Sequence, residues 1–418
     1  MERSRARTGR PQPHNPAAIG IHRTGAAEAS APSRTRLIGA RPRDPAFWRN
    51  LGGAGLAWFL LIAIALTGYL VVVVPLRAEI LNTDFTQAYV AATIGRTHGW
   101  SHIYSLDLQR QLLSELRPQL VFNDGAWFTP APPYAWLVLP LTALSPAAGV
   151  YIWLALSAAG LVAAWWLAAP GAGRFRLLWL LGALAWYPVL YGLSLAQPAL
   201  IVLVVVAAAW RLSEAGRPYL AGVVLGLTVI KPQLILALPL VLLASGKWRA
   251  LAPWAAIGVV LALLSLLAIG PGGLSDYRAI LAHESEMPNN RYFTLAYLLG
   301  PGPLSYVGPA LVVALAAAGA YFNREAGYAR LYALGIVASA LAATYWHLQD
   351  FTILVLAAWL FWREQPPLWQ RLWLLVVIVG GEFAWGITPL PMLIGLGVWF
   401  SFLIARPAPN RRAVPVRA

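Results

Sequence analysis

Four short stretches carry the side chains that could do chemistry. In LNTDFTQAYVAA, residues 81–92, Asp84 stands just past a long apolar run, in a chain with only 16 acidic residues. A carboxylate there can cap the helix that follows, since Asp is a favoured N-cap. Partly screened from water it has a raised pKa and can take the proton of a hydroxyl nucleophile, so Asp84 is the candidate general base. TYWHLQD, residues 344–350, gathers Tyr345, Trp346, His347, Gln349 and Asp350 in one turn between apolar segments. It reads either as a polar connector or as a substrate contact, in which His347 would meet a phosphate by a charge-assisted hydrogen bond and Tyr345 would stack on a sugar. VIKPQLIL, residues 229–236, holds Lys231 in an apolar run broken by Pro232. Lys231 is therefore an interfacial anchor or a phosphate ligand, and Gln233 beside it is counted as a substrate contact. SLAQPALI, residues 194–201, sets Gln197 before Pro198, to satisfy freed backbone groups or to touch substrate.

The elements that must position these residues are helices in a membrane. Of 418 residues, 59% are hydrophobic and 11% charged, with 20 Trp; a soluble domain carries about 25% charged residues. The apolar runs suit helices rather than the alternating strands of an outer-membrane barrel. They fall at 51–76, 147–169, 177–191, 197–210, 219–230, 231–244, 250–270, 303–322, 328–343, 351–362, 371–388 and 392–405, which predicts an all-α polytopic bundle with ten to twelve crossings. Residues 132–146, PPYAWLVLPLTALSP, are expected as a re-entrant or interfacial element, with a full hairpin from 133 to 169 as the alternative.

Charge placement orients the bundle. The net charge of +15 is concentrated at the start, where Arg3, Arg5, Arg7 and Arg10 open a tail through residue 50 rich in Arg, Ala, Pro and Ser. That tail is expected to be disordered and cytoplasmic, touching anionic membrane lipids rather than nucleic acid. It lacks the apolar core of a signal peptide. Basic turns at Arg174 and Arg176, Arg211 and Arg217, Lys247 and Arg249, and a basic tail at 406–418, place both termini in the cytoplasm. The domain at 51–405 then presents two extracytoplasmic loops, 77–131 with Asp84, Asp107, Glu115 and Asp124, and 271–302 with Asp276, His283, Glu284, Glu286 and Arg291.

Several chemistries are excluded by what is missing. There is no cysteine, so no disulfide or thiol chemistry. No GxxxxGK[ST], HExxH or GxSxG motif and no Asp-x-Asp pair occurs. His98 and His102 are four apart, but Gly99 between them weakens any helix that would aim them at one metal. No metal and no other cofactor is expected.

The order of parts, with Asp84 after the first span, FTPAPPYAWLVLPLTAL, GLSLAQPALIVL and RPYLAGVVLGLTVIKPQ, resembles glycosyltransferase family 87, enzymes of the polyprenol-phosphate-mannose type in the GT-C superfamily. The resemblance extends over about residues 50–405. It implies a GT-C-like fold with a helical first extracytoplasmic loop, a polyprenyl-phosphate sugar as donor, mannose as the default sugar, and a lipid or glycan hydroxyl as acceptor. It also implies a multi-pass protein of a bacterial inner membrane with an outward-facing site. Position by position, Asp84 falls at the family's first-loop acid, with the role of general base. Tyr134 lies in its Tyr-Pro-Pro region, here APPY, and Gln197 stands where Gly-Gln-Asn is usual, here Ala-Gln-Pro. Lys231 follows the AGxxLGL run, and His347 occupies the late His turn, here WHLQD. Lys231, His347 and Arg291 are the candidate cations for the leaving phosphate. The competing class is a polytopic transporter or lipid flippase using Asp84, Lys231 and His347 in translocation. Oligomeric state is not readable from the sequence.

Overall fold

The computed structural model describes residues 45–119, 127–287, 290–300 and 302–405. The terminal tails before residue 45 and after 405, and Asp124 of the first loop, lie outside the described residues. The chain divides into two compact units, residues 1–51 and 52–418. Of the first, only the opening of helix α1 is described.

Every regular element among the described residues is helical. Helix α1 (Pro45–Gly68) runs through a π-turn (Tyr69–Val73) into α2 (Val74–Ala78). The first loop is itself helical, with α3 (Asp84–Thr97), α4 (Leu106–Leu116) and α5 (Pro132–Val138) ahead of α6 (Pro146–Ala168). Then come α7 (Leu177–Ala185), α8 (Tyr187–Ser194), α9 (Ala199–Glu214), α10 (Pro218–Gly226), α11 (Leu238–Ala244) and the long α12 (Trp248–Glu286). The chain closes with α13 (Leu295–Leu298), α14 (Leu304–Phe322), α15 (Tyr328–Ala342), α16 (Leu354–Arg363), α17 (Leu368–Phe383) and α18 (Leu390–Ile404).

Two kinds of wholly apolar helix occur, and their surroundings tell them apart. Helix α15 is buried on every side from Arg330 to Ala342 and forms the centre of the bundle, against α9, α11, α14, α16 and α18. Helix α1 is the opposite: Trp58, Phe59 and Leu66 are each 63–68% exposed. Helix α12 likewise leaves Leu263, Leu264 and Leu267 uncovered. A band of bare aliphatic and aromatic side chains on this scale needs lipid around it. The molecule is a helical membrane protein.

Where the apolar pattern predicts ten to twelve crossings, four helices among the described residues are long and apolar enough to cross, or five if the pair 173–185 and 187–194, bent by 60°, is one span. Length is what the other segments lack. At 1.5 Å per residue, the 15-residue α15 is about 22 Å long, short of the roughly 30 Å of hydrocarbon. Proline shortens two of them: Pro188, with no N–H to bond back, cannot continue α7 and stands in the first turn of α8 after the break at Trp186, and Pro232 splits the run from 218 to 244. The segment at 132–146 makes a seven-residue helix and a 3₁₀ turn (Leu139–Ala143), too short to cross.

The stretch 271–302, like the first loop, is partly helical, because α12 continues into it as far as Glu286 after a kink at Gly270 (φ 63°). Pro271 follows that kink as the first residue of the resumed helix, where its missing N–H is no loss.

Close helix packing relies on glycine. Gly222 and Gly226, four residues apart on α10, face α12; a Cβ at Gly222 would run into the Ala250 carbonyl oxygen, and one at Gly226 would lie 2.6 Å from Ile257.

Candidate functional site

Asp84 begins α3 and does not cap it. Thr83 holds the cap position, and the Asp84 N–H donates to the Leu195 carbonyl at 3.0 Å, tying the start of α3 to the turn after α8. That turn is a Schellman closure: the Gln197 N–H returns to the Gly192 carbonyl (2.9 Å) and the Ala196 N–H to Leu193 (2.9 Å). It requires a left-handed residue, and here it is Ala196 at φ 49° rather than glycine. A Cβ in that region costs roughly 1–2 kcal/mol. The strained turn aims the Gln197 side chain at Asp84.

The Gln197 amide is a bridge. Its Nε2 donates to Asp84 Oδ2, and its Oε1 accepts from Lys231 Nζ at 2.6 Å. An ammonium only donates, so the amide orientation is fixed by chemistry. Lys231 reaches this point because Pro232 breaks the helix directly after it, leaving the lysine (φ −155°) in a joint between two 3₁₀ turns. The same Nζ lies 2.5 Å from Asp350 Oδ1. Asp350 is fully buried, and its Oδ2 accepts the His347 N–H at 3.1 Å, which closes the turn Leu348–Ile353.

From His347 the network goes on. Its Nε2 is 2.8 Å from Asn290 Oδ1, and Asn290 Nδ2 donates to Glu284 Oε2 (2.5 Å) and to the Glu284 carbonyl (2.9 Å). Because the Glu284 carboxylate and carbonyl only accept, the amide is oriented and His347 Nε2 must be the protonated nitrogen. Glu284 Oε1 takes the Trp127 indole N–H at 2.7 Å.

This chain of contacts borders a cavity of about 630 Å³. Asp84, Tyr134, Gln197, Lys231, Gln233, Arg291, Tyr345 and His347 all line it, so the structure brings the candidate base and every candidate substrate contact to one place. Glu284, Asn290 and Trp127 line it too and were not among the candidates. Trp346 and Gln349, from the same turn as His347, are buried away from it.

Burial pushes the His347 imidazole below the usual histidine range, and Lys231 pushes the same way while Asp350 opposes. Burial raises the Asp84 carboxyl, with Lys231 and the Gln197 hydrogen bond opposing and Asp350 adding to the rise. Asp84 Oδ1 accepts no hydrogen bond among the described residues, and neither does the Arg291 side chain donate one. Tyr134 Oη is buried without a partner among them, its ring 5.6 Å from Trp153. The Tyr345 ring lies 4.9 Å from the His347 imidazole. No group of three or more His, Asp or Glu side chains with the spacing of a metal site occurs among the described residues.

Fold and cavity together define a helical membrane protein with an acid, an uncommitted guanidinium and a row of polar side chains around one chamber. The sequence profile of glycosyltransferase family 87 matches residues 128–389, more than half of the chain. The chain belongs to that family, and it is a membrane glycosyltransferase. The match takes in Gln197, Lys231, Arg291, His347 and Asp350; it begins after Asp84, and it is narrower than the span from 50 to 405 suggested by resemblance. No curated protein and no solved structure matches the chain significantly.

Proposed function

We propose that the protein moves a sugar, with mannose as the first candidate, from a polyprenyl-phosphate donor to a hydroxyl of a lipid or glycan acceptor, inverting the anomeric centre, at the extracytoplasmic face of the membrane. The observation that carries this reading is the carboxylate of Asp84, with Oδ1 uncommitted and its pKa raised by burial, on the same cavity as the uncommitted Arg291.

The acceptor hydroxyl gives its proton to Asp84 Oδ1 as its oxygen attacks the anomeric carbon. The bond from that carbon to the phosphate oxygen breaks, and the electron pair leaves with the polyprenyl phosphate. A raised pKa suits a base of this kind, because it brings proton affinity nearer the working pH. Gln197 holds Oδ2 and so fixes the direction of Oδ1. Arg291 is the group that answers the charge growing on the phosphate. Lys231 is already shared by Asp350 and Gln197, so its part is to orient the amide. His347, Tyr345, Tyr134 and Gln233 supply neutral hydrogen bonds and ring faces to the sugar.

Purified wild type and Asp84→Asn, each given a labelled polyprenyl-phosphate hexose and membrane lipid acceptors, test the reading. The expected result is a loss of about 10²–10⁴-fold in transfer by the variant. Transfer at equal rates would remove Asp84 from the mechanism, and no transfer by wild type from any polyprenyl-phosphate sugar would remove the donor class.

A further inference from the structure

One helical turn before Leu195, whose carbonyl accepts the Asp84 N–H, begins a second set of groups, none of which lines the chamber. Tyr187 and Tyr191 are four residues apart on α8, so their side chains share one face. Their rings are nearly parallel, 11° between planes with centroids 5.8 Å apart. Trp385 continues the row, 6.2 Å from Tyr191, with one face backed by Phe293 at 5.7 Å and 20°. The indole is still 54% exposed. Glu382, on the last turn of α17, uses one carboxylate oxygen to accept the Tyr187 N–H at 3.1 Å. Its other oxygen, both tyrosine hydroxyls and the Trp385 indole N–H carry no hydrogen bond among the described residues.

The backbone ties the row to the site: the Tyr191 carbonyl accepts the Leu195 N–H at 3.1 Å, the Leu195 carbonyl accepts the Asp84 N–H at 3.0 Å, and Phe293 stands two residues after Arg291 of the cavity wall. Flat rings with unused polar edges and an adjacent carboxylate offer what a pyranose needs: a face for its C–H groups, and donors and acceptors for its hydroxyls. Aromatic residues that only anchor a protein at the lipid surface need no carboxylate among them, whereas sugar hydroxyls use one as an acceptor. We infer that Tyr187, Tyr191, Trp385 and Glu382 form an acceptor subsite for a neutral glycan, which delivers its terminal hydroxyl to Asp84. The inference rests on the reading of Asp84 as the base of a glycosyl transfer and adds to it that the acceptor carries at least one sugar.

The test uses full-length protein in detergent and a panel of neutral hexose oligosaccharides of about one to four units, the lengths chosen to bracket a shelf of a few rings. Binding is read by saturation-transfer difference NMR. Wild type is expected to bind one series saturably, Trp385→Ala tenfold more weakly, which is about 1.4 kcal/mol, and Glu382→Gln several-fold more weakly. In transfer assays the same variants should raise the acceptor KM and leave the donor KM unchanged. Should Trp385→Ala not fold, Tyr191→Phe and Glu382→Gln, which keep shape, carry the test. Absence of saturable binding by wild type overturns the inference. So does Trp385→Ala with lowered thermal stability and unchanged binding, the result expected of a lipid anchor. Glycan binding that weakens in the variants, in a protein that transfers no sugar from any polyprenyl phosphate, would sink the proposed reaction and leave the subsite standing. Intact transfer with an unchanged acceptor KM would do the reverse.

Discussion

Replacing Lys231 by methionine keeps the length of the side chain and removes its charge. Asp350 is then left with no exposed surface and no cation, its Oδ2 still bonded to the His347 N–H. At 2.5 Å the two charges attract by about 7 kcal/mol at an effective dielectric of about 20, before the cost of removing both from water is subtracted. Breaking such a pair from one side costs about 3–5 kcal/mol, because the remaining charge stays buried. At roughly 1 °C per kcal/mol for a chain of this length, Lys231→Met should lower the Tm by about 3–5 °C. Asp350→Asn should cost less, since Lys231 lines the cavity, where water can reach it. The double variant Lys231→Met with Asp350→Asn has no uncompensated charge and should recover to within about 1–2 kcal/mol of wild type. Activity should not recover with it. Gln197 will have lost the ammonium that fixes its amide, and Asp84 the donor that the amide presents. Thermal melts in detergent and transfer rates on the four proteins check this together. A Lys231→Met protein that melts with wild type would refute the ion-pair argument, and a stable double variant with full activity would refute the orienting role of Lys231.

Transfer should fall on the acid side as pH drops through the Asp84 pKa, because the base must be ionised to accept a proton. Burial raises that pKa, so the acid limb of a rate profile should lie above the value of about 4 of an ordinary aspartate; a limb at or below it would count against burial as the dominant effect. Arg291→Ala should reduce transfer by about 10²-fold or more, and Arg291→Lys should restore part of it, whereas equal rates would free the phosphate from this residue. Gly222→Ala should destabilise by about 1–3 kcal/mol or more, since its Cβ meets a backbone oxygen that cannot move aside, while Gly258→Ala, with nothing within 4 Å, should be neutral or stabilising by up to about 1 kcal/mol; thermal melts separate the two.

Residues that stand out against apolar surroundings were legible from the sequence alone. Asp84, Lys231 and His347 are ionisable groups at breaks in apolar runs, and a charge there needs a reason. Glu284 and Asn290 are harder to read as site residues, because Gly270 and Pro271 stand where the apolar run 250–270 ends and 271–302 is expected as a loop. The structure uses them instead as a kink and a fresh start, which carries Glu284 on a helix into the cavity wall. The pairing of Lys231 with Asp350 could not be read either: the residues are far apart in sequence, and each taken alone looks like a substrate contact. The electrostatic surroundings were illegible for the same reason, since the downward push on the His347 pKa comes from burial. Helix type could be read from composition, but helix length could not, because a short apolar helix inside a protein and one in lipid have the same residues.

The arrangement of charge gives the amide of Gln197 its purpose. An ammonium in direct contact with Asp84 would hold the carboxylate in its ionised form and weaken it as a base. Interposed, Gln197 transmits orientation without transmitting the full charge, and Asp350 offsets that charge from the far side. Asp84 is therefore the group with excess negative charge in this part of the cavity, and protonation relieves it. In the proposed reaction, the negative charge that disappears from Asp84 reappears on the departing phosphate. A site built for that transfer needs its strongest uncommitted cation at the phosphate and none at the base. Arg291, without a partner among the described residues, and Lys231, with two, meet that requirement. A design in which both cations were free would bind the donor tightly while leaving the base too weak to use it.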